Sequence, residues 1–392
     1  MAKRLLKFPA DFLWGSATSA YQVEGGIENS DWSKAYPAGK ACDQYNRYEE
    51  DFDIAKQLGQ NAYRLSLEWS RIEPIEGQFN EKEIDHYRKV LGALQKRGIE
   101  PFVTLHHFSN PVWFAEKGGW ANSKSPEYFE RFVAYVMDEL GQEARYWITI
   151  NEPFIYTGNA YIAGAFPPKK KNALVGLHVA GNLARAHKRA YAAIKRKRPD
   201  AQVGIAKNNN FFEAYKNQLA SRIIVCITRY IWNFWFLDQI KDYQDFVGLN
   251  YYFHNRIHVR FSNPKNWFFQ NEDKTVSDIG WEIYPEGLYH IVKEVKRFQK
   301  PIYILENGIA DADDNQRSSF IREHLMWLHK AIEEGADVKG YFHWSLLDNF
   351  EWAEGFTKRF GLVHVDFQTL RRTTRPSAKV YAEICKTNQI EV

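Results

Sequence analysis

Short apolar runs alternate along the chain with longer stretches in which apolar residues recur every three or four positions. The runs are Phe12–Ala17, Ala62–Leu67, Glu100–Leu105, Tyr146–Asn151, Gln202–Lys207, Asp245–Asn250, Ile302–Glu306 and Lys339–Trp344. Their length and their β-branched and aromatic content suit buried strands. Helical periodicity fills the intervals, at Tyr45–Leu58, Glu81–Arg97, Glu127–Leu140, Ala173–Arg198, Gln218–Phe236, Pro285–Phe298, Ser318–Glu334 and Ser377–Cys385. Gly59, Gly98, Gly141 and Gly335 follow four of these helices, where a left-handed C-terminal residue is wanted. A strand followed by a helix, repeated eight times, implies a parallel sheet, because parallel neighbours need long crossovers. The pattern predicts one domain over residues 1–392, folded as an α/β (β/α)8 TIM barrel. The surplus over roughly 250 residues then lies in loops on the active-site face. A doubly wound open sheet is the alternative, but its Gly-rich phosphate turn is missing.

In such a barrel the reacting groups project from the C-terminal ends of the strands. The fourth run ends Ile148-Thr149-Ile150-Asn151-Glu152-Pro153 and the seventh ends Ile302-Tyr303-Ile304-Leu305-Glu306-Asn307. Strand alternation puts Ile148, Ile150 and Glu152 on one face, and Ile302, Ile304 and Glu306 on another. With these apolar rows facing inward, each would carry a Glu into the barrel mouth, from opposite sides of the ring. A buried carboxylate is costly unless it is paired or has a task. Two opposed carboxyls are what glycoside hydrolysis requires: one protonates the leaving oxygen while the other attacks or activates water.

Other strand ends add polar groups to the same mouth. Arg64 shares a face with Ala62 and Ser66, and a guanidinium beside Glu306 would hold that carboxylate ionised. Asn250 and Tyr252 share a face of the sixth run, placed to hydrogen-bond a carboxylate and a sugar hydroxyl. The eighth run ends at Trp344, a flat ring suited to the apolar face of a sugar. His106 and His107 end the third run and point to opposite faces, which argues against a two-His metal site; one is expected to be structural and the other to reach the mouth. The acidic loop Asp311–Asp314 lacks the Gly and terminal Glu of a calcium loop.

Composition narrows the reading further. The chain has 52 Lys+Arg against 48 Asp+Glu, a net charge of +4, too small to imply nucleic acid. Aromatic residues make up 16% of the chain, which fits either a large core or a cleft walled by flat rings. Cys42, Cys226 and Cys385 are scattered in no metal or redox spacing, so reduced thiols in the cytoplasm are expected. The N-terminus is basic, but Pro9 and Asp11 interrupt it before any long apolar stretch, so no signal peptide is expected. No Asn-x-Ser/Thr acceptor and no run of membrane-spanning length occurs, so no membrane association is expected.

The motifs themselves resemble glycoside hydrolase family 1, the β-glucosidase and β-galactosidase family. FLWGSATSAYQVEG, YRLSLEWSRIEP, TLHHF, TINEP, VGLNYY, ILENG and WSLLDNFEWAEGFTKRFGLVHVD appear in family order from residue 8 to about 385. The resemblance implies a retaining exo-β-glycosidase that needs no metal or cofactor and takes a small β-glycoside or oligosaccharide. It implies that Glu152 is the general acid/base, with Asn151 beside it contacting the sugar 2-hydroxyl. Glu306 is then the nucleophile, flanked by Arg64 and Tyr252 and supported by Asn250. Gln22, His107, Glu351 and Trp352 resemble the hydroxyl-binding set of the −1 site, and Trp344 the platform beneath that sugar. A carboxylate at Glu351 would accept from the 4- and 6-hydroxyls and repel a phosphate, which favours unphosphorylated β-D-glucosides or β-D-galactosides. A same-fold enzyme that transglycosylates or opens β-glucan chains is the close alternative. A non-catalytic sugar-binding barrel is a distant one, since both Glu residues are present.

Three departures stand out. Phe108 takes a place where Trp is frequent, and Lys169–Lys171 one where a Gly is more usual. The segment about 212–245 is shortened, and its helix SRIIVCITRYIWNFWF is apolar nearly all round. With its covering loop trimmed, the helix near 222–237 is expected either to pack under its neighbours or to form a contact between copies of the chain or a loosely packed apolar pocket.

Overall fold

The computed structural model describes residues 4–260, 267–268 and 274–391. Eight parallel strands close into a TIM barrel in sequence order: β1 (Leu13–Ala17), β2 (Ala62–Ser66), β3 (Glu100–His106), β4 (Tyr146–Asn151), β5 (Gln202–Asn208), β6 (Val247–Tyr251), β7 (Ile302–Asn307) and β8 (Val338–Trp344). The ring closes where Gly340 of β8 pairs with Leu13 of β1. Every predicted strand is present to within a few residues.

The outer helices are α1 (Gln44–Gln57), α2 (Glu81–Lys96), α3 (Ser125–Leu140), α4 (Ala173–Lys197), α5 (Leu219–Arg229), α6 (Glu286–Val295), α7 (Arg317–Glu333) and α8 (Pro376–Thr387). Local chemistry sets their ends. Asn80 and Asn172 accept from the first backbone N–H groups of α2 and α4, and Pro stands in the first turn of α3 and α8. Gly59, Gly98 and Gly335 take the left-handed conformation after α1, α2 and α7. Gly141 departs from that expectation: it continues α3 at φ −58.

Two apolar layers separate inside from outside. Phe102, Tyr146, Phe246, Tyr303 and Phe342 fill the barrel interior, with Phe102 and Tyr146 stacked at 4.1 Å between centroids. These rings come mostly from the strand beginnings, so they floor the barrel beneath its mouth and account for part of the aromatic excess. The second layer lies between strands and helices and includes Val103, Trp147, Ile150, Val247, Leu249, Ile302 and Ile304.

This partition corrects the face assignment made from alternation. Ile148 lies in the interior, but Ile150 belongs to the outer layer, as do Ile302 and Ile304. Strict alternation would therefore send Glu306 outward. The ladders instead slip, between Ile148 and Asn151 against β5 and between Ile304 and Glu306 against β6. Each irregularity resets the parity at the strand end, a common way of re-aiming a side chain next to a site. Both Glu residues reach the mouth, by a route that alternation alone does not supply.

The helix near 222–237 also differs from a uniformly buried rod. It runs as α5, widens over Tyr230–Phe234 and continues as Trp235–Ile240. One side packs on Phe212, Ile257 and Val259 through Ala220, Ile224, Val225 and Trp232, and Phe236 is fully buried. The row Ile223, Ile227 and Ile231 is 54%, 51% and 52% exposed.

Candidate active site

Arg64 rises from β2 into the barrel axis and is fully buried. Its Nε donates to Thr104 Oγ1 at 3.1 Å, Nη1 pairs with Glu306 Oε1, and Nη2 donates to Asn151 Oδ1 at 2.7 Å. The other oxygen of Glu306, Oε2, accepts from the Tyr252 hydroxyl at 2.6 Å. A guanidinium thus holds one oxygen of Glu306 and a phenol the other. Burial and the charge of Glu306 push the Tyr252 phenol well above its ordinary range, so it stays a neutral donor.

Glu152 sits where β4 gives way to the short helix Pro153–Thr157. Its backbone is left-handed, φ 41 and ψ 62, a conformation that costs a non-glycine residue on the order of 1 kcal/mol or more. The peptide is held there by its N–H, which donates to the Ala206 carbonyl at 2.7 Å. Glu152 Oε1 accepts from Asn250 Nδ2 at 2.9 Å and from Asn208 Nδ2 at 3.3 Å. Neutral amides stabilise a carboxylate far less than Arg64 does. Burial first, then the negative charge of Glu306, push the Glu152 carboxyl up to about 8. At neutral pH it holds its proton.

Both carboxyls line one cavity of about 720 Å³, shared with His107, Asn151, Tyr252, Trp344, Glu351 and Trp352. That volume is ordinary for a small-molecule site. Gln22, Arg64 and Asn250 stand behind the lining. Gln22 is buried and donates Nε2 to the Phe350 carbonyl at 2.8 Å and to Glu351 Oε2 at 3.4 Å, which fixes the loop carrying Glu351. Asn151 donates its Nδ2 to His107 Nε2 at 3.0 Å. Burial and the Arg64 charge hold the His107 imidazole well below its usual range, so it is neutral. Its Nδ1 then carries the proton and, among the described residues, meets no protein acceptor. His106 turns away to Asn110 and Trp120, so the paired histidines divide as expected. The rings of Trp344 and Trp352 lie 6.0 and 5.8 Å from that of His107. Among the described residues no cluster of His, Cys, Asp or Glu is arranged to hold a metal ion.

A glycosyl hydrolase family 1 model matches residues 5–240 and 236–390, two pieces that meet inside the shortened segment. β-Glucosidase A of Thermotoga maritima is 35% identical, over 98% of this chain and 99% of its own length. Among solved structures, a β-glycosidase from Pyrococcus horikoshii is similar, with a TM-score of 0.93 at 38% identity, over 99% of this chain and 96% of its own. The T. maritima β-glucosidase in complex with glucoimidazole also superposes with a TM-score of 0.93, at 34% identity over 98% of this chain and 99% of that one.

The chain belongs to glycosyl hydrolase family 1. It is a β-glucosidase-like glycoside hydrolase, and within this family 1 barrel two expectations change. Asn250, expected beside Glu306, gives its amide to Glu152 and Asn151 instead. It pairs in register with Glu306, but the slip in β7 turns the two side chains to different partners. Glu351, expected as a carboxylate, is pushed up to about 8 by burial and by the charges of Glu306 and Glu152. One buried guanidinium cannot hold three carboxylates ionised.

The family 1 site also contains residues that the sequence did not mark. Asn208 is the nearest of these to the chemistry. It ends β5 and opens the Asn208-Asn209-Asn210 run, and that polar run at a strand end was the available signal. Phe154, Phe212, Trp232, Phe253 and Trp281 complete the cavity wall. Phe154 and Trp232 come from helical segments, Phe212 from the short strand Phe211–Ala214, and Phe253 and Trp281 from loops, and periodicity does not reveal that these meet at the mouth.

Proposed function

We propose that this family 1 hydrolase is a retaining exo-β-glycosidase that acts on unphosphorylated β-D-glucosides or β-D-galactosides through a covalent glycosyl-enzyme. The supporting observation is that two buried carboxyls face one cavity in opposite electrostatic settings. Glu306, paired with Arg64, is the nucleophile and attacks the anomeric carbon. Glu152, protonated at neutral pH, gives its proton to the glycosidic oxygen as the aglycone leaves. Once Glu306 is esterified its negative charge is gone, and one cause of the high proton affinity of Glu152 goes with it. Glu152 then ionises and takes a proton from the attacking water. His107, Asn151, Glu351 and Trp352 meet the sugar hydroxyls, and Trp344 meets its apolar face.

The choice of an unphosphorylated sugar rests on the lining. Among the described residues it carries Glu152, Glu306, Glu351 and Glu354 and no Lys or Arg. A sugar phosphate entering this cavity would meet acids and, among the described residues, no cation in the lining to pair with.

The whole chain is read as one barrel unit with a reduced 212–245 segment. Its three cysteines are free thiols, which supports a reducing compartment such as the cytoplasm. Among the described residues no helix is long and apolar enough to cross a membrane. The exposed row Ile223, Ile227 and Ile231 supports a contact with a second copy. Light scattering that shows a monomer at high concentration would remove that part.

The test of the catalytic reading is Glu306→Ala with azide. Turnover should be lost, and azide should restore it by giving the α-glycosyl azide. Unchanged activity, or rescue with the β-product, would overturn the assignment.

A further inference from the structure

Lys207 is the penultimate residue of β5 and is fully buried. Ala206 joins the interior cluster, while Lys207 pairs in register with Leu249 of the outer layer, so its side chain points away from the barrel axis. Among the described residues no carboxylate lies within ion-pair distance of its Nζ. The ammonium donates instead to the Asn208 carbonyl at 2.5 Å and to Asn209 Oδ1 at 3.3 Å. It sits 5.2 Å from the ring centroid of Phe154 and 5.7 Å from that of Trp232. A buried ammonium held by two neutral acceptors and two rings is expensive, and an aliphatic side chain of similar length would fill the slot without that cost.

What Lys207 touches is the surround of Glu152. Asn208 donates to Glu152 Oε1, and Trp232 Nε1 in turn donates to Asn208 Oδ1 at 3.3 Å. Phe154 lies in the short helix that Glu152 caps. We infer that Lys207 is a positioning residue for the acid/base: it clamps Asn208, Phe154 and Trp232 around Glu152 and supplies, from behind the cavity wall, a positive charge that helps Glu152 release its proton and then serve as a base. The inference rests on Glu152 being the acid/base.

The surrounding charges leave this role open to Lys207. The titratable groups that Glu152 faces are Glu306 and Arg64 in the cavity floor, Tyr252 and Glu351 in its wall, and Lys207. Glu306 engages Arg64, so that cation is already committed. Facing Lys207, the charged partner is Glu152. Arg229, on the adjoining helix, is turned outward to Glu294 at 3.0 Å. Burial draws the ammonium well below its usual range and the charge on Glu152 opposes that shift, so the two protons are linked.

The experiment compares the pH dependence of kcat/KM on an alkyl β-glucoside for the wild type, Lys207→Met and Lys207→Arg. Lys207→Met removes the charge, and the alkaline limb should move up by roughly half to one pH unit. Lys207→Arg keeps a cation, and the limb should stay in place. A Met variant whose limb coincides with that of the wild type overturns the proposal, even if its kcat has fallen. Should the Met variant not fold, an Arg variant whose limb moves up overturns it as well. Glu152→Gln, run alongside, separates the two failures: if it keeps the wild-type alkaline limb, the acid/base reading itself is wrong.

Discussion

Arg64 holds Glu306 with one terminal nitrogen and, with the other, holds Asn151, the residue next to Glu152. Asn250 then bridges Asn151 and Glu152, at 3.3 and 2.9 Å. The two carboxyls are thus ends of one buried chain of hydrogen bonds. The cation sits at the Glu306 end and neutral amides at the Glu152 end. The asymmetry divides the labour between them.

Removing the cation should damage both chemistry and fold. Arg64→Met leaves Glu306 buried with only Tyr252 as a partner. Loss of one member of a buried pair costs about 3–5 kcal/mol of stability, and kcat/KM should fall by at least about 100-fold, the scale of losing a buried charge that orders a reacting group. Arg64→Lys should do better on stability than on rate, because an ammonium cannot serve Glu306 and Asn151 in the same fork. Denaturant titration and steady-state kinetics check both. A Met variant within about fivefold of wild type would show that Glu306 does not depend on Arg64.

In the proposed mechanism the proton on Glu152 sets the alkaline limit. Glu152 is pushed up to about 8, so the acid is loaded below that pH and lost above it. For an alkyl glucoside, kcat/KM should fall as pH rises through about 8. A dinitrophenyl glucoside, whose leaving group needs no proton, should lack this limb when glycosylation is followed. Glu152→Ala should likewise spare the dinitrophenyl substrate far more than the alkyl one. Equal losses on both substrates would contradict the acid role.

Much of this arrangement is legible in the residues. The eight apolar runs name the strands because a barrel strand is buried on both faces and reads as a short continuous apolar run between longer amphipathic stretches. Glu152 and Glu306 stand out because an acid is out of place at the end of such a run. The direction in which they point is not legible. The slips beside Ile150 and Ile304 are set by pairing between strands distant in sequence, and no local pattern encodes them. For the same reason Asn250 looked like a partner of Glu306 and proved to be a partner of Glu152. The exposure of Ile223, Ile227 and Ile231 depends on what the trimmed neighbouring loops leave uncovered, which the helix sequence does not state.

Glu351 makes a prediction about stability. Its carboxyl is raised in the folded state to about 8, whereas in the unfolded chain it ionises near its ordinary 4.5. The folded form therefore binds the proton more tightly. Glu351 does no harm below pH 4.5; its destabilising contribution grows as pH rises from about 4.5 to about 8 and is fully present above that. Glu351→Gln should raise Tm relative to wild type, more at pH 9 than at pH 5. A Tm difference that is flat across this range, or larger in acid, would refute the raised value.

Glu351 also bears on specificity. Glu351→Ala should weaken hydrolysis of a glucoside more than that of its 6-deoxy analogue. The loss on the glucoside is expected at about 1–3 kcal/mol in kcat/KM, the range for a hydrogen bond to a buried partner. Parallel losses on the two substrates would place Glu351 away from the 6-hydroxyl.

Everything turns on which atom becomes bonded to the sugar. A 2-deoxy-2-fluoro-β-glucoside with a good leaving group slows release of the intermediate enough for it to be isolated. Intact-mass and peptide mapping of the inactivated protein should show one fluoroglucosyl unit, carried on Glu306. Labelling of Glu152 or another residue, or turnover with no adduct at any time, would contradict the mechanism.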